Sequence, residues 1–239
     1  MSEKFLRTEL LLGTPALEKL RRSRVAIFGI GGVGSYVAEA LVRCGVGHFL
    51  LVDNDVIDIT NINRQIHATT KTVGQAKTEV MAARMRDINP EVEIITLQKF
   101  YSPENREDFF RQPIDYLVDA IDSVPSKADL LAEAVKRDIQ LISSMGAGNK
   151  LNPAMLQVAD LYKTSVCPLA RTMRQRLRKL GVKKLKVVYS QEEPIKHRLT
   201  QLEGEEFTKL VPGSISFVPS SAGLLIASEV VKDLCQEYL

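Results

Sequence analysis

The chain has three cysteines in 239 residues and no Cys-x-x-Cys pair among them. Cys44, Cys167 and Cys235 stand far apart, which excludes a zinc site built on cysteine pairs and a disulfide framework. Each reads as an ordinary thiol, except that Cys167 adjoins Pro168 ahead of a basic segment, where a helix dipole and nearby cations favour a thiolate. No apolar run reaches the ~18 residues of a membrane span, and the first residues lack the apolar core of a signal peptide. The expectation is a cytoplasmic protein with no membrane partner. Repeats and low-complexity segments are also missing. The net charge of +3 is too small to diagnose a partner, but acids are absent from one place. Between Leu161 and Gln191 the chain carries nine Lys or Arg and no Asp or Glu. What is present, 45% hydrophobic and 26% charged residues, suits a globular chain able to bury a large core.

The most informative segment is Val25-Ala-Ile-Phe-Gly-Ile-Gly-Gly-Val-Gly34. An apolar strand runs into Gly29-x-Gly31-x-x-Gly34, and a helix follows. Gly29 makes the sharp turn, Gly31 and Gly32 let backbone approach a phosphate, and Gly34 lets the helix lie on the strand. The helix start then faces the anion with unpaired N–H groups and partial positive charge. A second strand, 48–52, ends in Asp53, 19 residues beyond Gly34, a spacing that suits a carboxylate on ribose hydroxyls or, more simply, a turn carboxylate.

The next residues separate nucleotides from one another. Asp55, Asn61, Arg64 and Gln65 lie in a polar stretch without apolar period, and Lys77 opens a helix. A dinucleotide cofactor keeps its pyrophosphate intact and has little use for them. Arg64 and Lys77 read as a planar fork and a point charge aimed at a reacting triphosphate, or as a surface ion-pair partner and a first-turn lysine. The strand at 115–119 leads to Asp122-Ser123 on the edge where open α/β sheets bind ligands. Asp122 suits Mg2+, which takes one or two carboxylates with phosphate oxygens and water; the alternative is a cap for the helix at Pro125. His67 is expected to be structural.

The organisation is that of an α/β chain, a doubly wound Rossmann-like, mostly parallel sheet with an appended C-terminal α/β region. Strands are expected near 24–29, 48–52, 92–97, 115–119 and 139–143, with helices at 32–44, 74–88 and 125–137. The texture changes after residue 150, so 1–150 is set apart from 151–239, more as a layer of one globule than as a free domain. Shorter strands are expected near 155–159 and 185–190. Residues 191–214 have no clear period and read as a lid-like loop or as disorder. A last helix over 221–238 shows a stripe of Leu224, Ala227, Val231 and Leu234. In the basic segment Leu169, Met173, Leu177 and Leu180 form one apolar helix face. Arg171, Arg174, Arg178 and Lys179 stay outside, joined by Lys183, Lys184 and Lys186. Such a face is either solvated or binds nucleic-acid phosphates, and the missing acids speak for the second.

The glycine loop, Asp53, Asn61-x-x-Arg64-Gln65, Lys77 and Asp122, in this order and spacing, resemble the ubiquitin-activating-enzyme superfamily, whose members adenylate a carboxylate with ATP. Within it the chain is similar to the tRNA threonylcarbamoyladenosine dehydratases, through Asn63–Ala68, Val118–Ser123, Lys163–Ala170 and Pro212–Ser220. The resemblance implies an ATP-binding adenylation core over 1–150 and a substrate-binding region over 151–239. It implies ATP and Mg2+ at the residues named above, a tRNA bearing N6-threonylcarbamoyladenosine as substrate, and Arg171, Arg174, Arg178, Lys179, Lys183 and Lys184 as its contacts. It also implies a homodimer in which Arg7 reaches the neighbouring subunit's ATP. A cysteine-desulfurase or sulfur-acceptor partner stays open. The superfamily's sulfur-carrier activators commonly carry two Cys-x-x-Cys pairs, which this chain lacks. The alternatives are such a carrier-protein activator, an NAD-dependent oxidoreductase and a non-catalytic nucleotide-binding scaffold.

Overall fold

The computed structural model describes residues 3–195, 201–202, 205–206 and 212–238. The strands of its large sheet are β1 (Arg24–Phe28), β2 (His48–Val52), β3 (Glu93–Leu97), β4 (Tyr116–Asp119), β5 (Gln140–Ser144), β6 (Leu156–Asp160) and β7 (Lys186–Ser190). Its α-helices are α1 (Leu6–Leu12), α2 (Thr14–Arg22), α3 (Gly34–Arg43), α4 (Lys77–Ile88), α5 (Val124–Lys136), α6 (Pro168–Lys179) and α7 (Phe217–Leu234). The sheet order is β3-β2-β1-β4-β5-β7-β6. All neighbours are parallel except β6, which runs antiparallel to β7.

Buried parallel strands carry apolar side chains on both faces, and β1 shows why this one must. Val25 and Ile27 pack with α3, α4 and α7, whereas Ala26 and Phe28 join the opposite cluster with Leu130 and Ala134 of α5. The chain winds from β1 outward to β3, then returns to β4 on the other side of β1. That reversal leaves a crevice at the carboxyl ends of β1 and β4, where the glycine loop and Asp122 both emerge. Because β7 pairs with β5 and α7 lies against α3, residues beyond 150 extend the same sheet.

Several expectations are corrected. Helices α1 and α2 were not expected at all. α2 buries Ala16, Leu17 and Leu20, but nine residues are too short for a periodicity window to register. α1 buries none of its own residues. Helix α4 starts at Lys77, three residues later than expected, because Gly74 takes φ +85° in the preceding turn. α7 begins at Phe217 and buries Val218, Ala222, Ile226, Ala227, Val230 and Leu234. Leu224 of the expected stripe is 52% exposed, since the true contact face is rotated toward α3 and the sheet. Leu180 is likewise 53% exposed at the end of α6, and Ala170 takes its place in the core with Met173 and Leu177. Much of 191–214, including the question of a lid, lies outside the described residues. Among the described residues no helix is long and apolar enough to cross a membrane.

Candidate active site

A cleft of about 730 Å3 opens over the carboxyl ends of the central strands. One end is built by the glycine loop. Gly29 has φ +89°, and a Cβ there would lie 2.6 Å from the Ala120 carbonyl oxygen; the turn after β1 is thus pressed against the turn after β4. A Cβ on Gly34 would strike the Gly29 carbonyl at 1.8 Å, so α3 could not sit on the loop. Gly31 differs: a Cβ there would meet nothing nearer than Gln65 Nε2, at 4.0 Å. Its backbone faces open space, as a phosphate cradle requires. Gly32 lies beneath the Arg64 stem and Pro219.

Asp53 directly follows β2 and is tied into this cradle. The Ile30 N–H donates to its Oδ2 at 2.6 Å and the Asp55 N–H to its Oδ1 at 2.9 Å. Burial pushes its carboxyl up, opposed by Lys77 and these two amides. Lys77 is buried, with Nζ 2.7 Å from Asp55 and 3.9 Å from Asp53, so it sits between two acids at the strand end. Arg64 lines the cleft and donates from Nη1 to the Thr60 carbonyl and the Asn63 side chain, both at 2.8 Å. It is held by its own loop, with no acid paired to it among the described residues. Asn61 is the buried last residue of the short helix Ile59–Asn61, and its side chain accepts the Asp58 N–H at the start of that helix. Gln65 is buried beside Gly31, with Oε1 unpartnered among the described residues. An open cradle, a carboxylate at the strand end and unspent polar capacity fit a bound nucleotide.

Asp122 and Ser123 line the middle of the cleft. Ser123 is the N-cap residue of α5 without a side-chain capping bond, and Asp122 is exposed and paired with no described residue. Capping of α5 by Asp122 is therefore not what the structure shows. A lone carboxylate beside a phosphate cradle is the donor set that Mg2+ takes. No group of three or more His, Cys, Asp or Glu gathers among the described residues to cage a metal without the nucleotide.

The far end of the cleft was not legible as a site. Ser144–Lys150, Cys167–Leu169 and Pro212–Ser214 contribute to it. The Gly213 N–H donates to Asn149 Oδ1 at 2.6 Å, and Asn63 Nδ2 to the Ser214 carbonyl at 3.0 Å. Cys167 is buried at the N-cap of α6. Burial lowers the Lys150 amine, which donates to the Glu192 carbonyl. Phe100, 52% exposed after β3, lines the cleft as well. On α6 and just after it, Arg171, Lys179, Lys183 and Lys184 are exposed. Two expected contacts are partly spent: Arg174 is half-buried and donates to Thr164, and the Arg178 guanidinium lies 5.6 Å from the Tyr162 ring centre. Lys186 leaves the basic face, held by Asp233 at 2.7 Å and Glu229 at 3.2 Å. Arg7 is exposed on α1 and does not line the cleft of its own chain.

His67 is 3% exposed, with both ring nitrogens unpartnered among the described residues. Burial, then Lys77 and Arg84, lower it to about 4. The neutral ring is favoured, so stability is full above the unfolded value near 6.5 and is lost as pH falls toward 4. The loss is about 3 kcal/mol at roughly 1.4 kcal/mol per pH unit. The His67→Gln variant should show a flatter thermal-midpoint profile than wild type over that range.

A family model described as the ThiF family matches residues 5–238. The chain is 49% identical to a Bacillus subtilis tRNA threonylcarbamoyladenosine dehydratase over 99% of its own length and 96% of that protein's. A Haemophilus influenzae protein of the same name is 46% identical over 70% of this chain and 65% of its own. The Escherichia coli tRNA N6-threonylcarbamoyladenosine dehydratase solved in complex with ATP superposes with a TM-score of 0.88 at 36% identity, covering 98% of this chain and 95% of that one.

Proposed function

Since the chain belongs to the ThiF family, we propose that it is an ATP-dependent tRNA threonylcarbamoyladenosine dehydratase, with ATP as a substrate and not a resident cofactor. The carrying observation is that likeness to such an enzyme runs the whole chain, through the far end of the cleft and the basic helix as well as the nucleotide end.

The phosphates lie against Gly31 and Gly32, with Arg64 and Lys77 as cationic partners, Asn61, Gln65 and Ser123 lining the site, and Asp53 on the ribose. Mg2+ held by Asp122 would neutralise charge on the leaving pyrophosphate. The threonyl carboxylate of the modified adenosine attacks the α-phosphorus, the bond to the β-phosphate breaks, and pyrophosphate departs. The ureido group of the same side chain then attacks the acyl carbon, loses a proton and expels AMP. The sum is loss of one water and a closed ring. Rate enhancement comes from positioning and fixed charge, which need no covalent bond between substrate and enzyme. No sulfur atom moves, so a cysteine desulfurase or sulfur acceptor would be a partner and not a reactant. A tRNA substrate puts the work in the cytoplasm.

Nucleoside mass spectrometry of threonylcarbamoyladenosine-bearing tRNA, incubated with protein, ATP and Mg2+, tests this reading. Loss of one water is expected; an unchanged nucleoside with a folded, ATP-binding protein overturns it. The tRNA backbone is held by Arg171, Lys179, Lys183 and Lys184, with Arg174 and Arg178 at the margin. Replacing the first four by Ala should weaken tRNA binding and lower the slope of log affinity against log salt by about 0.7–0.9 per contact removed. ATP affinity should stay at the wild-type value.

The working unit is a homodimer in which Arg7 of each subunit serves the other's ATP site. Leu6, Leu10 and Leu11 of the same helix are exposed, the last two at 78% and 82%, and supply an apolar face for that contact. Arg7→Ala and Asp122→Ala should each be inactive alone. Mixed after dissociation they should regain about a quarter of wild-type activity, because half the dimers are hybrid and each hybrid holds one intact site. No recovery with hybrids formed would place Arg7 elsewhere.

A further inference from the structure

Lys127, near the start of α5, and Asp119, the last residue of β4, are both fully buried, with their charged atoms 2.8 Å apart. Asp119 Oδ2 also accepts from Ser143 Oγ on the neighbouring strand, at 2.5 Å. Its Oδ1 accepts the Ile121 N–H at 3.2 Å, and Lys127 Nζ donates to the Ile121 carbonyl at 3.0 Å. Both backbone polar groups of the residue immediately before Asp122 thus end on this pair.

Two charges taken out of water are costly, and well-packed apolar residues of the same volume often serve stability as well or better. Stability alone therefore gives little reason for a lysine here. Position does. Ile121 carries the chain out of β4 and into the cleft, and the Ala120 carbonyl just before it lies against Gly29. The turn is wedged between the phosphate cradle and the buried pair. Burial pushes the Asp119 carboxyl up, while the Lys127 ammonium and the Ser143 and Ile121 donors act against this. Lys127 stands in the first turn of α5, where its backbone N–H donates to the Ser123 carbonyl at 2.8 Å.

We propose that Lys127 and Asp119 are positioning residues, whose buried ion pair grips Ile121 by both backbone groups and so fixes the Asp122 carboxylate relative to the phosphate cradle. The inference rests on the reading of Asp122 as the Mg2+ ligand.

Calorimetric titration with ATP, once with Mg2+ and once in chelator, gives for each protein the gain in affinity due to the metal. Lys127→Met alone strands a buried carboxylate and endangers the fold, so the decisive variant is Lys127→Met with Asp119→Asn, which removes both charges and keeps the shapes. It should melt cooperatively and bind ATP in chelator as wild type does, through the glycine loop and Asp53. Its Mg2+-dependent gain should fall about 10- to 100-fold, as expected for a ligand displaced by an ångström or so. Asp122→Ala should lose the same gain. A wild-type gain in the double variant, with the gain lost in Asp122→Ala, overturns the positioning role alone. A gain retained in Asp122→Ala overturns the metal reading together with it. Equal loss with and without Mg2+ marks general damage to the nucleotide site and also overturns the positioning role.

Discussion

Asp122→Ala should lower formation of the dehydrated nucleoside by about 100- to 1,000-fold, the range for removing one fixed partner of transition-state charge. The substitution isolates chemistry from folding. The carboxylate is exposed within the cleft and paired with no described residue, so its removal should change stability by no more than about 0.5 kcal/mol. ATP binding in chelator should likewise persist, because the cradle at Gly31 and the carboxylate of Asp53 are untouched. Asp122→Asn preserves shape and loses charge, and should fall nearly as far as the alanine variant if the residue works as an anion on a metal. Nucleoside mass spectrometry beside a thermal melt checks both halves. Wild-type turnover in either variant would remove Asp122 from the mechanism.

The nucleotide end was legible because its demands are local. Three glycines at fixed spacing, a strand before them and an acid at the end of the next strand are contiguous statements about backbone and charge, and the structure sets Gly29, Gly31 and Asp53 together in one wall, with Gly34 packed on Gly29. Other features depend on residues brought together from afar. Lys127 and Asp119 look in sequence like a helix surface residue and a strand-end acid; only the packing of α5 on β4 and β5 turns them into a buried pair. Lys186 and Arg174 read as free cations in sequence because Asp233 and Thr164 are remote or unremarkable there. The α7 stripe failed at Leu224 for a related reason. In a long helix rich in apolar residues several faces satisfy the period, and the partner, here α3, chooses among them.

Gly29→Ala and Gly31→Ala should separate folding from binding with opposite signs, although two residues apart. Alanine at 29 must adopt φ +89° and place a methyl 2.6 Å from the Ala120 carbonyl oxygen, a backbone atom that cannot swing aside. The left-handed conformation costs roughly 1–2 kcal/mol and the overpacking roughly 1–3 more. For a chain of this size each kcal/mol moves the thermal midpoint by about 2–4 °C. The midpoint should therefore drop by about 5–15 °C, with activity lost along with the fold as Ala120 pushes the turn bearing Asp122 away from the cradle. At 31 the backbone is outside the left-handed region and the nearest atom to a new Cβ is 4.0 Å away. Stability should hold, or rise by about 0.4–1 kcal/mol through the restricted unfolded chain. The methyl instead fills the space through which a phosphate reaches the backbone, so ATP affinity should fall at least about tenfold, roughly 1.4 kcal/mol. Thermal melts and ATP titration on both variants decide the matter. A Gly31→Ala protein that binds ATP as tightly as wild type would mean that the triphosphate lies off the loop, and the roles given to Arg64, Lys77 and Asp122 would have to move with it.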